Sequence, residues 1–442
     1  MSRAVAARAH PRPWAALAFT LLALAIGLGA YVLAGLGKRG HVPVQLALYG
    51  SILAVGELAA WLAIRRLAPA ADPALFPTAA VLVGLGFAMI FRLSGGLAAE
   101  QATWIALGIT AFCLTLWLVR DHRQLDAFTY TIGLAGIVLL LLPIVPGIGR
   151  EINGARLWVR IGPIGFQPSE LGKVLVVVFL ASYLTQKREL LRVATWRLGP
   201  VRLPPAKHLM PVLVAWGTSL AILFLQRDMG ASLLYFGIFV VMLWVATGRL
   251  AYLAIGGALF ALGAWLGYRT FEHVQLRVDV WLHALDPDKV FAQGYGQLAQ
   301  AWFGMGTGGL VGTGLGRGSP GLIPFAATDF IFAAIGEELG MLGTVAVLLL
   351  YVTLVGKGLR AALACADPFG RLLAAGLSAI VALQTFVIVG GITRVIPLTG
   401  VTLPFVSYGG SSLISNFVLL ALLVRIDAGP APSVRPRPPR PA

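Results

Sequence analysis

Apolar segments of membrane-spanning length recur along the whole chain, and they fix its fold class before any motif is considered. A bilayer core is crossed by roughly 20 apolar helical residues. Only 12% of this chain is charged, whereas soluble domains carry about 25%. The sequence therefore predicts an all-α polytopic membrane protein with about twelve transmembrane helices, near residues 14–35, 44–64, 75–93, 102–119, 127–147, 169–186, 209–226, 229–247, 250–268, 328–355, 372–392 and 410–426.

Lysine and arginine predict the orientation of these helices. With the N-terminus in the cytoplasm, every cytoplasmic connection contains basic residues, and the 187–208 loop is the most basic of them. The same distribution accounts for the net charge of +16 through anionic lipid, so the bilayer is the expected partner and nucleic acid is not. We expect both termini to be cytoplasmic, with a disordered Pro/Arg-rich tail over 427–442. The first apolar run is long enough to be a permanent helix rather than a signal peptide.

A glycine-dense stretch over 294–340 is the most unusual part of the chain. It leads into an apolar helix and contains Asp329, Glu337 and Glu338. Irregular backbone beside apolar spans is tolerated only where it is packed in protein or lines a wet cavity. Carboxylates at this depth indicate a functional site by default. We expect the glycines to pack the loop on the membrane body, since no βαβ unit supports a nucleotide-binding turn.

The predicted topology places four polar segments on the external side, at 148–168, 226–230, 271–327 and 393–409. In the first of them and the helix start that follows it, Arg156, Arg160 and Lys173 are suited to binding a diphosphate. Glu170 and Lys173 are three residues apart on one helix, so a simple salt bridge at the mouth of the span is the competing interpretation. Ser169 follows a proline and is a good first-turn residue.

The other external segments add further candidates. Asp228 lies in a tight turn after Gln226, as part of either a turn-forming ion pair or a polar site. Ser411 and Ser412 stand at a helix entrance, where they either cap the helix or help it to bind an anion. The long 271–327 segment also supplies acids that are candidates for acid–base chemistry.

Four motifs together resemble the SEDS family of bacteria, the group of RodA, FtsW and SpoVE. They read GARLWVRIGPIGFQPSELGK, QRDMG, GTGLGRGSPGLIP followed by TDFIFAAIGEELG, and IPLTGVTLPFVSYGGSS. They occur in the family's order and cover roughly 73–426. The family core has ten spans, so the resemblance implies a SEDS core with a large structured extracellular loop at 271–327. Residues 1–72 would be an N-terminal extension with two helices.

The resemblance implies a peptidoglycan glycosyltransferase of the bacterial plasma membrane. Such an enzyme polymerises lipid II on the outer face and works with a class B penicillin-binding protein. An aspartate of the long loop would be the general base. A gapped comparison gives this role to Asp288 or Asp286, and Asp288 is nearer in sequence to Tyr295. A divalent cation, Mg²⁺ or Mn²⁺, is implied at the diphosphate. The implied substrate-binding residues are Arg156, Arg160, Ser169, Glu170, Lys173, Gln226, Asp228, Tyr295, Gln297, Asp329, Glu337, Glu338, Ser407, Ser411 and Ser412.

Two other functions compete with polymerisation at this stage. A lipid II flippase would explain polar residues inside the spans, although alternating access favours a site at the midplane rather than on one face. A catalytically silent scaffold for the crosslinking enzyme is the third possibility. Elongation, division and sporulation members share these motifs, so the sequence leaves the cellular process open.

Overall fold

The computed structural model describes residues 13–152, 155–161, 164–189, 196–198, 201–203, 217, 226, 228–290, 292 and 295–429. These residues form thirteen α-helices and short strands. The helices are α1 Pro13–Arg39, α2 Leu46–Leu67, α3 Leu75–Leu93, α4 Gly95–Leu118, α5 Thr129–Leu141, α6 Pro168–Gln186, α7 Met229–Thr247, α8 Ala251–Thr270, α9 Glu272–His283, α10 Gly296–Gly308, α11 Ile331–Ala364, α12 Pro368–Ile392 and α13 Gly410–Ala428.

Eleven of the described helical segments are long and apolar enough to cross a membrane. They coincide with eleven of the predicted spans, which confirms the polytopic helical class. The twelfth predicted span, 209–226, lies outside the described residues except at 217 and 226. The two remaining helices, α9 and α10, belong to the long polar segment between α8 and α11.

Two small antiparallel sheets supplement the helices. The first has the order β1 Gly149–Ile152, β2 Ala155–Ile161 and β3 Ile164–Phe166. Its register places Glu151 opposite Arg156. The second pairs β4 Trp196–Leu198 with β5 Val201–Leu203. The all-α prediction contained neither sheet.

Helices α3, α6, α12 and α13 form the buried centre of the molecule, and most of their residues are inaccessible. Helix α1 packs on α3 through a contact between glycines. A Cβ atom added to Gly84 would lie 2.7 Å from the Cα of Gly27. Small residues at such a crossing let two helix backbones approach closely in a membrane. Tyr31 of α1 then packs edge-on against Phe87 and Phe91 of α3, with ring centroids 5.3 and 4.6 Å apart.

Three polar segments meet at one end of the helix bundle, which we call the site face: the β1–β3 sheet with the start of α6, the segment 271–330, and the segment 393–409. The backbone N–H of Gln167 donates to Ser411 Oγ at 2.8 Å. Arg277 of α9 donates to the carbonyl of Thr399 at 2.9 Å. These contacts confirm that segments far apart in the sequence converge on one side.

Candidate functional site

An ion pair at the start of α6 forms the floor of the candidate site. Pro168 opens the helix, and the Nζ atom of Lys173 lies 2.6 Å from Oε2 of Glu170. The same ammonium donates to Oε1 of Gln384, on α12, at 2.8 Å. Lys173 is only 1% exposed, so its charge is satisfied by these two groups. The predicted salt bridge is therefore present, in a buried position.

A hydrogen-bond chain continues from this pair to the 393–409 segment. Gln384 Nε2 donates to the carbonyl of Thr402 at 2.8 Å. The hydroxyl of Thr402 donates to Ser412 Oγ, also at 2.8 Å. Ser411 accepts the backbone N–H of Gln167. Both serines thus bind protein groups and tie the entrance of α13 to α6 and α12.

Asp228 lies at the N-terminus of α7, close to the Glu170 carboxylate. Its side chain caps the helix by accepting the backbone N–H of Ala231 at 2.9 Å. Burial raises the pKa of Asp228 to about 6; the neighbouring Glu170 also raises it, whereas the Ala231 hydrogen bond and Arg277 oppose the rise. Such a carboxyl changes its protonation state near neutral pH, as a general base requires.

Asp329 and Arg277 complete this arrangement from the long polar segment. Burial raises the pKa of Asp329 to about 6, against the opposing effects of Thr328 and Arg277. The guanidinium of Arg277 donates from Nη1 to the carbonyls of Thr399, at 2.9 Å, and Leu398, at 3.3 Å. Its own pKa is lowered by burial and supported by Asp228 and Asp329. Arg277 therefore lies under the influence of both aspartates.

We call Glu170, Asp228, Arg277 and Asp329 the acid–arginine cluster. With the adjoining Lys173 it contains three carboxyl groups and two cations, so it carries no excess of positive charge. Carboxylates in this setting accept hydrogen bonds from sugar hydroxyls and can accept a proton. The cluster suits an acceptor hydroxyl better than a diphosphate.

Backbone strain is concentrated around the site face. In the part of the chain that the structure describes, three residues other than glycine have positive φ, namely Phe325 at 55°, Arg394 at 61° and Phe405 at 66°. Arg394 also joins α9 to the 393–409 segment: it donates to the carbonyl of Trp281 at 3.1 Å, and the Trp281 indole donates back to its carbonyl at 2.9 Å. Strained backbone persists only where the surrounding contacts fix it, and it is common at functional sites.

The loop acids predicted as catalytic are not part of the acid–arginine cluster as described. Asp286 and Asp288 are both exposed, in the turn that follows α9. Their assignment as the base remains a prediction. The engaged acid of this loop is Asp279, which accepts the hydroxyl of Tyr295 and lies 3.2 Å from Nζ of Lys289. These partners hold the pKa of Asp279 below its usual value, the Tyr295 hydrogen bond most strongly.

The glycine-rich loop, residues 309–330, joins α10 to α11. Glu337 and Glu338 of α11 hold this loop. Oε1 of Glu338 lies 2.8 Å from Nε of Arg92, and its Oε2 accepts the backbone N–H of Gly316 at 2.8 Å. Oε1 of Glu337 accepts the backbone N–H of Ser319. The predicted tight packing of the loop is confirmed. Both acids are occupied by these contacts, and a substrate-binding role for them stays a prediction.

Three further predicted residues form internal hydrogen bonds around the site. Ser407 donates to the carbonyl of Thr328 at 2.6 Å, which fixes the residue before Asp329. The amide of Gln226 is buried and donates to the carbonyl of Leu140. Ser169 is also buried, and its carbonyl accepts the hydroxyl of Tyr235 at 2.8 Å. Each of these hydrogen bonds joins a predicted residue to the protein backbone next to the site.

The basic residues of the β1–β3 sheet lie on the solvent side of the site face. Arg156 is exposed and forms an ion pair with Glu151, with Nε and Oε2 3.2 Å apart. Arg160 is exposed on β2. Because exposed ion pairs are weak, Arg156 can exchange its partner for an anionic ligand. Gln297 is partly buried in the first turn of α10.

Glu170 pairs with Lys173 and interacts electrostatically with Asp228, and Arg277 interacts with both Asp228 and Asp329. The role of these residues in substrate binding stays a prediction. The structure adds Arg277 and Gln384, which sequence reasoning missed. Gln384 is a lone amide within an apolar span, a signal that would have identified it as a buried polar contact. Arg277 is one of several charged residues in the polar helix α9, so nothing in the sequence distinguishes it.

Among the described residues of the site face, the side chains form no group suited to binding a divalent cation. Within the described ranges, no group of three or more His, Cys, Asp and Glu side chains is arranged to hold a metal ion. In the acid–arginine cluster, Lys173 pairs with Glu170, and Arg277 acts on Asp228 and Asp329. Protein cations thus take the places that a metal would need, and these side chains do not fit a resident divalent ion.

Comparisons with known proteins agree on one family. The profile of cell cycle proteins named for FtsW, RodA and SpoVE matches residues 74–430. The peptidoglycan glycosyltransferase RodA of Mycobacterium tuberculosis is 43% identical over 436 residues, which cover 96% of this chain and 92% of that protein. A probable peptidoglycan glycosyltransferase FtsW of Geobacter metallireducens is 32% identical over 369 residues, covering 80% of this chain and 94% of the relative.

Solved structures show the same relationship. One chain, from work on the structural coordination of polymerization and crosslinking by a peptidoglycan synthase complex, matches with a TM-score of 0.65 and 30% identity. The match covers 81% of this chain and 98% of that one. The rod shape determining protein RodA of Thermus thermophilus matches with a TM-score of 0.56 and 28% identity, covering 81% and 97% of the two chains.

Proposed function

The chain belongs to the family of FtsW, RodA and SpoVE and is a peptidoglycan glycosyltransferase, and from this premise we propose how its site face carries out the reaction. The substrate is lipid II, a disaccharide pentapeptide joined to undecaprenyl diphosphate. The single observation that supports this proposal is the acid–arginine cluster, where carboxyl groups from α6, the start of α7 and the end of the 271–330 segment meet. Such a cluster can bind and deprotonate a sugar hydroxyl.

In the proposed reaction, the acceptor hydroxyl of lipid II attacks the anomeric carbon of the growing strand. The new glycosidic C–O bond forms as the bond from that carbon to the diphosphate oxygen breaks. The hydroxyl proton passes to a carboxylate, and the undecaprenyl diphosphate leaves with the bonding electron pair. Asp228 and Asp329, with pKa values of about 6, match the requirements for this base near neutral pH. The family resemblance favours Asp288, and the experiment below separates these assignments.

The diphosphate is proposed to bind at the basic side of the site face. Arg156 and Arg160 are exposed there on β2, and guanidinium groups bind phosphate oxygens in a bidentate manner. Stabilising the charge that develops on the leaving diphosphate is the expected contribution of these residues to the rate. A divalent cation implied by the family would be carried by the diphosphate.

Orientation and partnership complete the proposal. Because Lys and Arg favour the cytoplasmic side, we assign the site face to the opposite side. Polymerisation then takes place on the outer face of the plasma membrane, with both termini in the cytoplasm. A class B penicillin-binding protein is proposed as the partner that crosslinks the new strand. One of the similar solved chains comes from a peptidoglycan synthase complex that coordinates polymerization with crosslinking, and this similarity supports the pairing.

Polymerisation of labelled lipid II by the purified protein tests the function directly. The assay is run with and without a class B penicillin-binding protein, and with Mg²⁺, Mn²⁺ or a chelator. We expect long glycan strands from the wild type. The base is the aspartate whose replacement by asparagine abolishes polymerisation, tested in Asp228→Asn, Asp329→Asn and Asp288→Asn. Glu272→Gln, on the same polar segment as Asp288, is the matched control and should keep its activity. Failure of the folded, partner-bound wild type under every condition would contradict the proposal.

A further inference from the structure

Arg277 joins parts of the site face that are distant in the sequence. Its guanidinium donates to the carbonyls of Leu398 and Thr399, and it interacts electrostatically with Asp228 and Asp329. The residue after Thr399, Gly400, has φ 75° and no side chain. A Cβ atom there would lie 3.6 Å from Oδ2 of Asp329 and 3.8 Å from Nη2 of Arg277. Both the carboxylate of Asp329 and the guanidinium of Arg277 thus approach the open side of this glycine.

The guanidinium of Arg277 lies beside oxygen acceptors of the 393–409 segment. Carboxylates and backbone carbonyls are the oxygen donors that hard divalent cations prefer. Here two carbonyls accept hydrogen bonds from a guanidinium, which also interacts electrostatically with two carboxyl groups. An arginine stays protonated at any physiological pH, and its planar fork fixes its orientation. The chain therefore provides a permanent cation of its own at this position.

We propose that Arg277 is a positioning residue for the acceptor site. Its guanidinium holds helix α9 against the carbonyls of Leu398 and Thr399, and it keeps Asp228 and Asp329 ionised as proton acceptors for the sugar hydroxyl. This inference rests on the proposed glycosyltransferase reaction, and it adds a role that neither the motifs nor the relatives' names assign.

The charged surroundings determine the direction of the pH effect. Asp228 faces Glu170 of α6, Arg277 of α9 and the backbone N–H of Ala231, while Asp329 faces Arg277 and Thr328. Lys173 offsets the charge of Glu170, with which it pairs. In both aspartates burial raises the pKa and Arg277 lowers it. Removing the guanidinium charge raises both pKa values further, so more of each carboxyl is protonated at neutral pH and cannot accept a proton.

Two substitutions separate the charge of Arg277 from its hydrogen bonds. Arg277→Gln keeps N–H donors for the carbonyls but has no charge, whereas Arg277→Lys keeps a charge but loses the fork. The measurement is the rate of lipid II polymerisation against pH. We expect Arg277→Gln to move the acid limb of the profile to higher pH, because the charge that lowers both pKa values is lost. Arg277→Lys should leave the limb where it is in the wild type while lowering the maximal rate.

Arg394→Gln is the matched control for docking. Arg394 also joins α9 to the 393–409 segment, through the carbonyls of Trp281 and Leu282. Its replacement should lower the rate without moving the acid limb. A complementary test uses Arg277→Ala with guanidinium chloride at millimolar concentration. The added guanidinium should restore part of the activity to Arg277→Ala but not to an Arg394→Ala variant.

The possible outcomes distinguish the proposals. An active wild type combined with an unmoved acid limb in Arg277→Gln overturns the role of Arg277 and leaves the glycosyltransferase function intact. An equal displacement in Arg277→Lys, or in Arg394→Gln, also overturns it, because docking alone would then set the profile. If Arg277→Gln does not elute as a folded protein, the lysine variant and the guanidinium rescue decide the matter. An inactive wild type refutes the proposed function itself.

Discussion

The buried ammonium of Lys173 shows how the site combines charge with an apolar surrounding. The group is 1% exposed; Glu170 neutralises its charge and the amide oxygen of Gln384 accepts a further hydrogen bond. Removing one partner of a buried pair leaves an uncompensated charge, which is far worse than removing both partners. Function adds a second constraint, since Glu170 also contributes to the field around Asp228.

Lys173→Met should therefore destabilise the protein by about 3–5 kcal/mol. The double variant Lys173→Met/Glu170→Gln should recover much of that stability, because no unpaired buried charge remains. Neither variant should polymerise lipid II at the wild-type rate. Thermal unfolding in detergent measures the first effect and the polymerisation assay the second. Equal stability losses in the single and double variants would contradict the buried-pair interpretation.

The pH dependence of activity identifies the carboxylate that accepts the proton. Asp228 and Asp329 have pKa values of about 6, raised mainly by burial. If either is the base, the rate should fall as the pH drops through about 6, since the protonated acid cannot accept the proton. A base with an ordinary aspartate pKa of about 4 is mostly ionised at about pH 5, so the enzyme would still be active there. The rate profile across the acid and neutral range distinguishes the two cases.

The contacts of residues within compact sequence motifs were predictable, whereas the tertiary contacts of an isolated residue were not. Glu170 and Lys173 occupy one helical turn after a proline, so their contact follows from spacing. Asp228 stands at a helix start, where aspartate is a preferred cap. Arg277 reaches its partners only because α9 folds back on the 393–409 segment. No local pattern encodes that tertiary contact.

Among the elements, the glycine-rich loop depends most on backbone conformation. The loop inserts its backbone between side chains of α11 and α3, with Gly312 at φ 86°. A Cβ atom on Gly312 would lie 2.3 Å from the carbonyl oxygen of Glu338. Helix α11 is kinked where it contacts the loop, because Gly340 has a non-helical φ of 65° inside the helix. The close fit requires glycine on both sides of this contact.

Gly312→Ala should destabilise the protein by about 2 kcal/mol or more, because a positive φ alone costs an alanine about 1–2 kcal/mol and the backbone contact adds to it. Gly321→Ala is the control. Gly321 lies in the same segment, has no positive φ, and would meet nothing within 4 Å. Thermal unfolding of the two variants in the same detergent gives the comparison. A control as destabilised as Gly312→Ala would contradict the argument.

Helices were predicted well at this scale because their apolar length is a strong signal. Strands β3, β4 and β5 were missed because they have three residues each. A run this short cannot show the alternation by which a strand is recognised. The helices α9 and α10 were missed for another reason, because they are polar or glycine-rich and lie outside the spans.

At the scale of the whole molecule, the N-terminal hairpin of α1 and α2 is part of the body that supports the site face. It precedes the residues matched by the family profile, which begin at 74, yet it reaches the glycine-rich loop. Lys38 of α1 donates to the carbonyl of Arg92 at 2.6 Å. A Cβ atom on Gly37 would overlap the carbonyl oxygen of Leu315, only 2.0 Å away. The end of α1 thus rests on the loop that Glu338 holds from the other side.

The crossing of α1 and α3 offers a test of this coupling. Gly84→Leu should force the two helices apart, because even a Cβ atom at Gly84 lies 2.7 Å from the Cα of Gly27. Overpacking of this kind destabilises by about 1–3 kcal/mol. It should also lower the polymerisation rate, since Lys38 moves away from Arg92. Gly29→Leu is the control, because Gly29 lies on α1 near the same crossing and would meet nothing within 4 Å. If Gly84→Leu loses stability but keeps the full rate, the hairpin is a support for the fold without influence on the site face.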